Sequence, residues 1–425
     1  MKIYLETTGC RLNQSEVETI ARQFQQAGHL IVRSAEEADA CVVNTCAVTS
    51  EATRSSRNMI RRLNRENPAM EIVATGCYAH LSPEIVSKLP GVGQVINNLD
   101  KDRLVPLVLH TAETFEQEPL EREFLPGASG RTRAFVKAQD GCNNRCTFCV
   151  TTIARGPGRS RAAAEILREI QMLAESGYQE AVLTGVHLGS YGHDQGDHEG
   201  LYHLVRRILD STDIPRVRLS SLEPWDITPE FLELWDNRRL CRHLHLPLQS
   251  GCDATLKRMA RRTSQKTFRH LIETGRALIP DLAISTDMIV GFPGETDEEF
   301  ETSYEFAREI DFMKIHVFRY SARAGTAAAR MQMQIGEDVK KERSARLLAL
   351  SDEGARQFYQ RFVGQEMDVL WEQIAGATPD GFHNTGLTDN YIRADLISPA
   401  VMTNTITTVR MVEATERGLV AVTQG

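Results

Sequence analysis

Long apolar runs, a secretory signal and an excess of positive charge are all missing from this sequence. No run reaches the ~18 apolar residues that a transmembrane helix needs, and the N-terminus MKIYLETTGCRLNQ has neither the apolar region nor the cleavage site of a signal peptide. Lysine and arginine number 49 against 57 aspartates and glutamates, which argues against a uniformly basic surface. We therefore expect a cytoplasmic protein of about two to four domains, without membrane contact, in which any nucleic acid binds at a local basic patch.

Cysteine is the residue type that stands out from an otherwise ordinary composition. The 425 residues include nine cysteines, an odd number that cannot all form internal disulfides. In a reducing cytoplasm, clustered thiols are more often metal ligands or catalytic groups than disulfides. Six of the nine fall into two groups of three. The other three follow no pattern, and we interpret them as structural: Cys41, Cys241 and Cys252.

Strand and helix patterns alternate along most of the chain. Strand candidates at 2–9, 38–46 and 71–78 are each followed by a helical pattern, which predicts an open parallel α/β sheet. Six further candidates alternate with helices after residue 131: 134–141, 180–188, 216–223, 242–250, 283–291 and 314–321. They predict a partial parallel (βα)6 barrel, because a full barrel needs eight strands. About the last 65 residues are β-rich with Gly, Asp and Asn turns, which predicts a small antiparallel β-barrel.

These patterns divide an α/β chain into three domains and a linker. The N-terminal domain covers residues 1–112, the partial barrel covers 131–360, and the β-rich module covers 361–425. Residues 113–130 are first acidic and then rich in Pro, Gly and Ser, so we interpret them as the linker.

Three cysteines form a C-x3-C-x2-C pattern directly after the first strand candidate of the barrel. They are Cys142, Cys146 and Cys149, called the loop cysteines below. Three thiolates can hold a [4Fe–4S] cluster and leave one iron open for a substrate or cofactor. The loop also leaves the carboxyl end of a barrel strand, where active sites of such barrels lie. A zinc site completed by a distant ligand is the alternative.

The second group of three cysteines is spread over the N-terminal domain. Cys10, Cys46 and Cys77, called the sheet-edge cysteines below, each stand at the end of one strand candidate. Because the carboxyl ends of parallel strands share the edge at which open α/β sheets bind ligands, these thiols suggest a second three-cysteine cluster. Gly9 and Gly76 would let the backbone approach a bulky cluster closely. The alternative is that these cysteines are small buried core residues.

Eight sequence blocks, in order along nearly the whole chain, resemble the methylthiotransferase family of radical S-adenosylmethionine (SAM) enzymes. The blocks are TTGCRLNQSE, VVNTCAVTSEA, ATGCYA, GCNNRCTFCVTTIARG, LTGVHLGSYG, HLPLQSG, DMIVGFPGET and YSARAGT. The resemblance implies that the loop cysteines hold the SAM-cleaving [4Fe–4S] cluster, and that the sheet-edge cysteines hold an auxiliary [4Fe–4S] cluster where the sulfur to be transferred is bound. It also implies SAM as radical source and methyl donor, a reductant protein, a sulfur donor and a C-terminal TRAM domain.

Other residues of the barrel are candidates for contacts with SAM rather than for side-chain catalysis, because radical chemistry belongs to the cofactor. The candidates at strand ends are Gly185, Glu223, Gln249, Asp287 and Gly291. The barrel histidines, including His187 and His245, are interpreted as structural.

Details of the blocks indicate the substrate that the resemblance implies. GCRLNQSE, QSGCD and Arg323 in YSARAGT look most like the branch that inserts a methylthio group at C2 of N6-threonylcarbamoyladenosine beside the tRNA anticodon. A sister branch acts on N6-isopentenyladenosine in tRNA. A third branch, which usually has an acidic residue where Arg323 stands, modifies an aspartate of a ribosomal protein. Both are alternatives, and a non-enzymatic iron–sulfur scaffold that binds RNA is an alternative of another class.

A basic stripe favours an RNA partner. Arg54, Arg57, Arg61 and Arg65 recur every three or four residues on a predicted helix shortly after Cys46, and we predict that they contact RNA together with Arg323. A solvated helix face is the alternative interpretation. Residues 361–425 contain four arginines and eight acidic residues, so this module carries a net negative charge. An acidic surface suits a basic protein substrate better than RNA, which keeps the ribosomal-protein alternative open.

Overall fold

The structure, a computed structural model, describes residues 1–113, 115 and 132–423. The predicted linker 113–130 lies almost entirely outside these described residues. In the described part of the chain, no helix combines the length and the apolar character that a membrane span needs.

The N-terminal part is a parallel sheet flanked by helices. Its strands are β1 Lys2–Thr7, β2 Leu30–Ile31, β3 Ala40–Thr45, β4 Glu71–Gly76 and β5 Val92–Val95. Its helices are α1 Arg11–Gln26, α2 Ser50–Glu66, α3 Cys77–Leu81, α4 Pro83–Val86 and α5 Leu104–Leu109. The strand order is β2-β1-β3-β4-β5, and every neighbouring pair is parallel. The three predicted strands are the three central ones, and the prediction of an open parallel sheet is confirmed.

The central part contains all six predicted barrel strands. They are β6 Arg133–Lys137, β9 Glu180–Thr184, β10 Arg216–Leu219, β11 His243–His245, β12 Ala283–Val290 and β13 Lys314–Arg319, with a small hairpin of β7 Gln139–Asp140 and β8 Arg159–Ser160. The helices are α6 Thr151–Arg155, α7 Ala163–Glu175, α8 Gly200–Ser211, α9 Pro229–Leu232, α10 Asp253–Arg258, α11 Gln265–Leu278, α12 Asp297–Ile310 and α13 Glu337–Gln360. The strands pair as β10-β9-β6 and β11-β12-β13, and a parallel bridge between Val217 and Leu240 joins the two halves.

The C-terminal part closes into a small β-barrel, as the sequence predicts. Its strands are β14 Glu366–Thr378, β15 Gly381–Thr388, β16 Arg393–Ser398, β17 Ile406–Thr415 and β18 Gly418–Val422, in the order β14-β15-β16-β18-β17. All neighbouring pairs are antiparallel except β16 and β18. Phe358 and Phe362 at the end of α13 share a core with the fully buried Trp371, which fixes this barrel to the central part.

Candidate active site

The sheet-edge cysteines lie at the same edge of the N-terminal sheet. Cys10 follows β1 and precedes α1, Cys46 follows β3, and Cys77 begins α3 directly after β4. Because β1, β3 and β4 are adjacent and parallel, their carboxyl ends meet. Cys46 and Cys77 are buried, whereas Cys10 is exposed. The expected grouping of the three residues at one edge is therefore present.

The thiols of this group influence one another and fit the ligand set of a metal cluster. Burial raises the pKa of Cys46 to about 11, and the nearby Cys10 and Cys77 thiols act in the same direction. Thiols that are costly to ionise alone become thiolates when a metal centre replaces their protons. A Cβ atom at Gly9, whose φ is +101°, would lie 2.7 Å from the sulfur of Cys46, so only glycine leaves this space open.

Gly76 has a different reason to be glycine. Its φ is +95°, and a Cβ atom there would lie 2.2 Å from the carbonyl oxygen of Thr45 on the neighbouring strand. The residue permits the close approach of β4 to the end of β3, at the point where Cys46 and Cys77 follow these strands.

The loop cysteines line an open cavity of about 510 Å³. The sulfurs of Cys142 and Cys149 accept hydrogen bonds from the backbone, since the N–H of Asn144 lies 3.4 Å from Cys142 Sγ and the N–H of Thr151 lies 3.4 Å from Cys149 Sγ. Such donors stabilise thiolates. The side chain of Ile153 and the loop at Gly325 complete one wall of the cavity. Among the described residues, no three Cys, His, Asp or Glu side chains are placed to hold a single metal ion. The three loop thiols and the open space beside them instead fit the chemistry of a larger iron–sulfur cluster with room for a further ligand.

His187 and Asp226 form a hydrogen-bonded pair beside the first loop cysteine. Nε2 of His187 lies 2.6 Å from Oδ2 of Asp226, and both side chains are largely buried. Burial opposes protonation, but hydrogen bonds with Asp226 and with the Cys142 sulfur raise the pKa of His187 to about 10. His187 thus contacts both Asp226 and the first loop cysteine.

Glu223, a predicted SAM contact, reaches the loop through Arg261. Nη1 of Arg261 lies 3.0 Å from Oε1 of Glu223 and 3.7 Å from the sulfur of Cys146. The guanidinium also stacks over the ring of Trp225 at 4.6 Å. Glu223 is therefore close to the cysteine loop, and Arg261 is a residue of this site that the sequence prediction missed.

Two predicted glycines also adjoin the loop through one neighbour each. A Cβ atom at Gly185 would lie 3.0 Å from the side-chain oxygen of Gln139. The side-chain amide of Gln139 in turn donates a hydrogen bond of 2.8 Å to the carbonyl oxygen of Gly141, the residue before Cys142. Gly291 precedes Phe292, whose ring lies edge-on to Phe148 with centroids 6.5 Å apart.

The remaining two candidates, Gln249 and Asp287, contact one another. The N–H of Gln249 donates to the carbonyl oxygen of Asp287 at 2.8 Å, and the Asp287 carboxylate lies 3.3 Å from Nε2 of His245. These contacts place Gln249 and Asp287 on the strands β11 and β12 and their connections, not in the cysteine loop.

The basic stripe lies on α2, as predicted, and faces solvent for most of its length. Arg54, Arg61 and Arg65 are exposed and Arg57 is half-buried. Arg62, next to Arg61, is instead held in ion pairs with Glu66 and Glu6.

Arg323 lies near Cys46, one of the sheet-edge cysteines. Ser321, two residues before it, is hydrogen-bonded to Ser50 at the start of α2, at 2.5 Å. Burial lowers the pKa of Arg323, and the Cys46 thiol opposes this effect. Its Nε and Nη2 atoms are buried, and among the described residues neither has a hydrogen-bond partner. The guanidinium is thus available to a group that the chain itself does not supply.

A buried ionic network that the sequence prediction missed joins the two groups of cysteines. Arg155 at the end of α6 contacts Glu16 and Asn13 of α1, and Lys101 also pairs with Glu16 at 2.8 Å. Asn13 and Glu16 are three residues apart, on the buried face of a helix that starts right after Cys10. Polar side chains on the buried face of an amphipathic helix are the signal that could have identified them.

Comparison with known proteins places this architecture in a defined class. Residues 136–307 match the family model of the radical SAM superfamily, and residues 2–97 match a model described as uncharacterized protein family UPF0004. Among solved structures, the radical SAM methyltransferase TsrM from Kitasatospora setae has a TM-score of 0.58 and 14% identity, covering 77% of each chain. The fold and the cysteine loop therefore define a radical SAM protein, a class whose cofactors are a [4Fe–4S] cluster and SAM.

Full-length relatives define the family more narrowly. The threonylcarbamoyladenosine tRNA methylthiotransferase MtaB of Bacillus subtilis is 37% identical over 97% of this chain and 94% of that relative, and the protein of the same name in Thermotoga maritima is 33% identical over 99% and 96%. A tRNA-2-methylthio-N(6)-dimethylallyladenosine synthase of Syntrophotalea carbinolica is 34% identical over 87% and 88%. The chain belongs to the radical SAM methylthiotransferase family.

Proposed function

We propose that this protein adds a methylthio group to C2 of N6-threonylcarbamoyladenosine in tRNA. The observation that carries the proposal is the pairing of a three-cysteine barrel loop with a three-cysteine sheet edge in a chain whose full-length relatives include MtaB enzymes. We further propose the division into domains 1–112, 131–360 and 361–425, and a cytoplasmic location, where tRNA substrates are found.

In this proposal each group of cysteines holds one [4Fe–4S] cluster. The loop cysteines bind the cluster that cleaves SAM, and the sheet-edge cysteines bind the auxiliary cluster. When bound, these cofactors supply a 5′-deoxyadenosyl radical, the sulfur and the methyl group. An electron-donating protein and a sulfur donor complete the reaction.

The residues of the chain hold and orient these groups. The N–H groups of Asn144 and Thr151 stabilise the charge on the thiolates of Cys142 and Cys149. The side chain of His187 contacts Cys142, and the side chain of Arg261 contacts Cys146. In this proposal Glu223, Gly185 and Gly291 adjoin the same loop and contact SAM. Gln249 and Asp287, which contact one another, are the further SAM contacts.

The tRNA binds across the N-terminal part in this proposal. The stripe Arg54, Arg57, Arg61 and Arg65 begins one turn into α2, whose start lies near Cys46, and its ends lie about 16 Å apart along the helix. This length lets the stripe contact several consecutive phosphates, which position RNA without reading its sequence. Arg323 offers the substrate beside Cys46 two nitrogens that have no hydrogen-bond partner among the described residues.

The relatives named dimethylallyladenosine synthases favour one second candidate, the same reaction on N6-isopentenyladenosine. To separate the two, the chain is expressed in a bacterial strain that lacks its own methylthiotransferases, and tRNA nucleosides are analysed by mass spectrometry. We expect the 2-methylthio form of N6-threonylcarbamoyladenosine, and we expect none with Cys142→Ala. The 2-methylthio form of the isopentenyl nucleoside alone would establish the second candidate. A mass increase on a ribosomal protein, with unmodified tRNA, would refute both.

A further inference from the structure

The short helix α6 lies between the two groups of cysteines. It begins two residues after Cys149, and the N–H of its first residue, Thr151, donates to the sulfur of Cys149. It ends at Arg155, which is only 3% exposed and points into the N-terminal part. Five residues of α-helix span about 7.5 Å, so α6 is a short and stiff connection.

At its far end, α6 is tied to the residue that faces Cys10. Nη2 of Arg155 donates to Oδ1 of Asn13 at 2.8 Å, and the same oxygen lies 3.7 Å from the sulfur of Cys10. Nη1 of Arg155 donates to Glu16 at 2.8 Å and to Asp140 at 2.9 Å. One guanidinium therefore connects α1, which follows Cys10, with β7, the strand that precedes the loop cysteines.

The same end of α6 is also tied to the residue that faces Cys77. Nδ2 of Asn98 donates to the carbonyl oxygen of Ala154 at 2.8 Å and lies 3.7 Å from the sulfur of Cys77. Asn98 is buried. Two asparagines, one for each sulfur, thus link the end of α6 to two of the three sheet-edge cysteines.

We propose that α6, with Arg155 and Asn98 as positioning residues, fixes the separation and orientation of the two metal centres. The inference rests on the proposed assignment of one cluster to each group of cysteines. A radical made at one centre must reach a substrate held at the other, and a displacement of about 1 Å can cost a factor of about a hundred in rate. A loosened connection would let SAM be cleaved without transfer of the methylthio group.

The test uses the full chain with both clusters loaded. Arg155→Lys keeps the buried charge but cannot reach Asn13, Glu16 and Asp140 together. Arg159→Lys is the matched control, since Arg159 also faces Asp140, at 3.8 Å, but is 46% exposed. Asn98→Ala removes the second link and leaves the ionic network intact. If Arg155→Lys folds poorly or binds little iron, Asn98→Ala therefore tests the proposal in its place.

Three quantities are measured: iron content, the ratio of methylthiolated nucleoside to 5′-deoxyadenosine, and the dipolar interaction between the two reduced clusters by pulsed EPR. For Arg155→Lys and Asn98→Ala we expect native iron content and SAM cleavage within about twofold of the native rate. The ratio of methylthiolated nucleoside to 5′-deoxyadenosine should fall at least tenfold, and the distribution of distances between the clusters should broaden. Arg159→Lys should match the native protein in all three.

Native ratio and native distance distribution in both Arg155→Lys and Asn98→Ala would overturn the proposal. If the native protein gives no product on tRNA, the proposed function has failed, and the EPR distances alone decide this inference.

Discussion

The guanidinium of Arg11 donates a hydrogen bond of 2.5 Å to the hydroxyl of Tyr391, so the residue that follows Cys10 contacts the C-terminal barrel. The ring of Tyr391 also stacks on His243 of β11, with centroids 4.5 Å apart, and Arg218 of β10 lies 5.0 Å from its centre. One side chain of the C-terminal barrel therefore contacts the other two parts of the molecule at once.

Tyr391→Ala should loosen this three-way contact. The loss of a large packed ring is expected to lower the free energy of unfolding by about 3 kcal/mol. Tyr391→Phe keeps the stacking on His243 and loses only the hydroxyl, so about 1 kcal/mol is expected. Chemical denaturation of the two variants and the native protein measures both values. Equal stability of all three proteins would show that the contact does not contribute.

The same contact affects how the acidic C-terminal barrel is tested for RNA binding. Deleting residues 361–425 would remove Tyr391 and uncover the packed end of α13 together with Arg216 and Arg218, which donate to backbone carbonyls of the barrel. Such a deletion would change the stability of the whole chain. Substitutions of exposed acidic residues are therefore the cleaner probe of this barrel's effect on tRNA affinity.

Arg218→Met should leave a buried carboxylate poorly paired. Nε of Arg218 lies 2.7 Å from Glu180, and both side chains are fully buried. Burial alone would raise the pKa of Glu180, but Arg218, assisted by Arg133, holds it at about 2. Loss of the partner is expected to lower the free energy of unfolding by about 3–5 kcal/mol at pH 7.

The pH dependence and a double variant check this explanation. Because the pKa is depressed in the folded state, the contribution of the pair is complete above the ordinary value of 4.5 and is lost as pH falls towards 2. The difference in the free energy of unfolding between native protein and Arg218→Met should therefore become smaller in acid. Glu180→Gln combined with Arg218→Met should recover part of the stability at pH 7. An unchanged difference at low pH would contradict the role of the carboxylate.

The sequence predicted elements and strand ends well, because both depend on local patterns. Alternating strand and helix patterns identified the three central strands of the first sheet and all six barrel strands, and the strand-end rule brought Cys10, Cys46 and Cys77 to one edge. The edge strands β2 and β5 escaped prediction because they have two and four residues and little pattern of their own.

Contacts between domains could not be predicted in the same way. Arg155 meets Glu16 across 139 residues, and Arg323 lies beside Cys46 rather than in line with the stripe on α2. No periodicity within one element encodes such a contact, since it depends on how two folded parts pack. A buried polar residue in an amphipathic helix indicates only that a partner exists.

The two groups of cysteines should be separable by iron content and by SAM cleavage. Two [4Fe–4S] clusters predict about eight irons per chain. Cys46→Ala should retain about four irons and SAM cleavage but lose methylthio transfer, whereas Cys142→Ala should lose 5′-deoxyadenosine formation. Cys41→Ala, a buried cysteine inside β3, is the control and should keep about eight irons. About four irons in the native protein would remove the auxiliary cluster from the proposal.

Arg61→Gln should weaken tRNA binding, and Arg62→Gln should not. The two residues are adjacent on α2, but Arg61 is exposed and forms no ion pair with another described residue, while Arg62 already pairs with Glu66 and Glu6. One phosphate contact fewer is expected to reduce the slope of log affinity against log salt by about one. Filter binding over a series of salt concentrations measures the slope. Equal slopes for the two variants would place the RNA elsewhere.

Arg323→Met should reduce methylthio transfer without destabilising the protein. Two nitrogens of this guanidinium are buried beside Cys46 and lack a partner within the described part of the chain, an arrangement that costs free energy until a substrate group accepts from them. The variant is therefore expected to unfold at the same or a higher denaturant concentration than the native protein, with native iron content and SAM cleavage, while product formation falls at least tenfold. Arg319→Met, an exposed arginine on β13, serves as the control. Native product yield from Arg323→Met would show that the guanidinium does not contact the substrate, and a clear loss of stability would make its role structural.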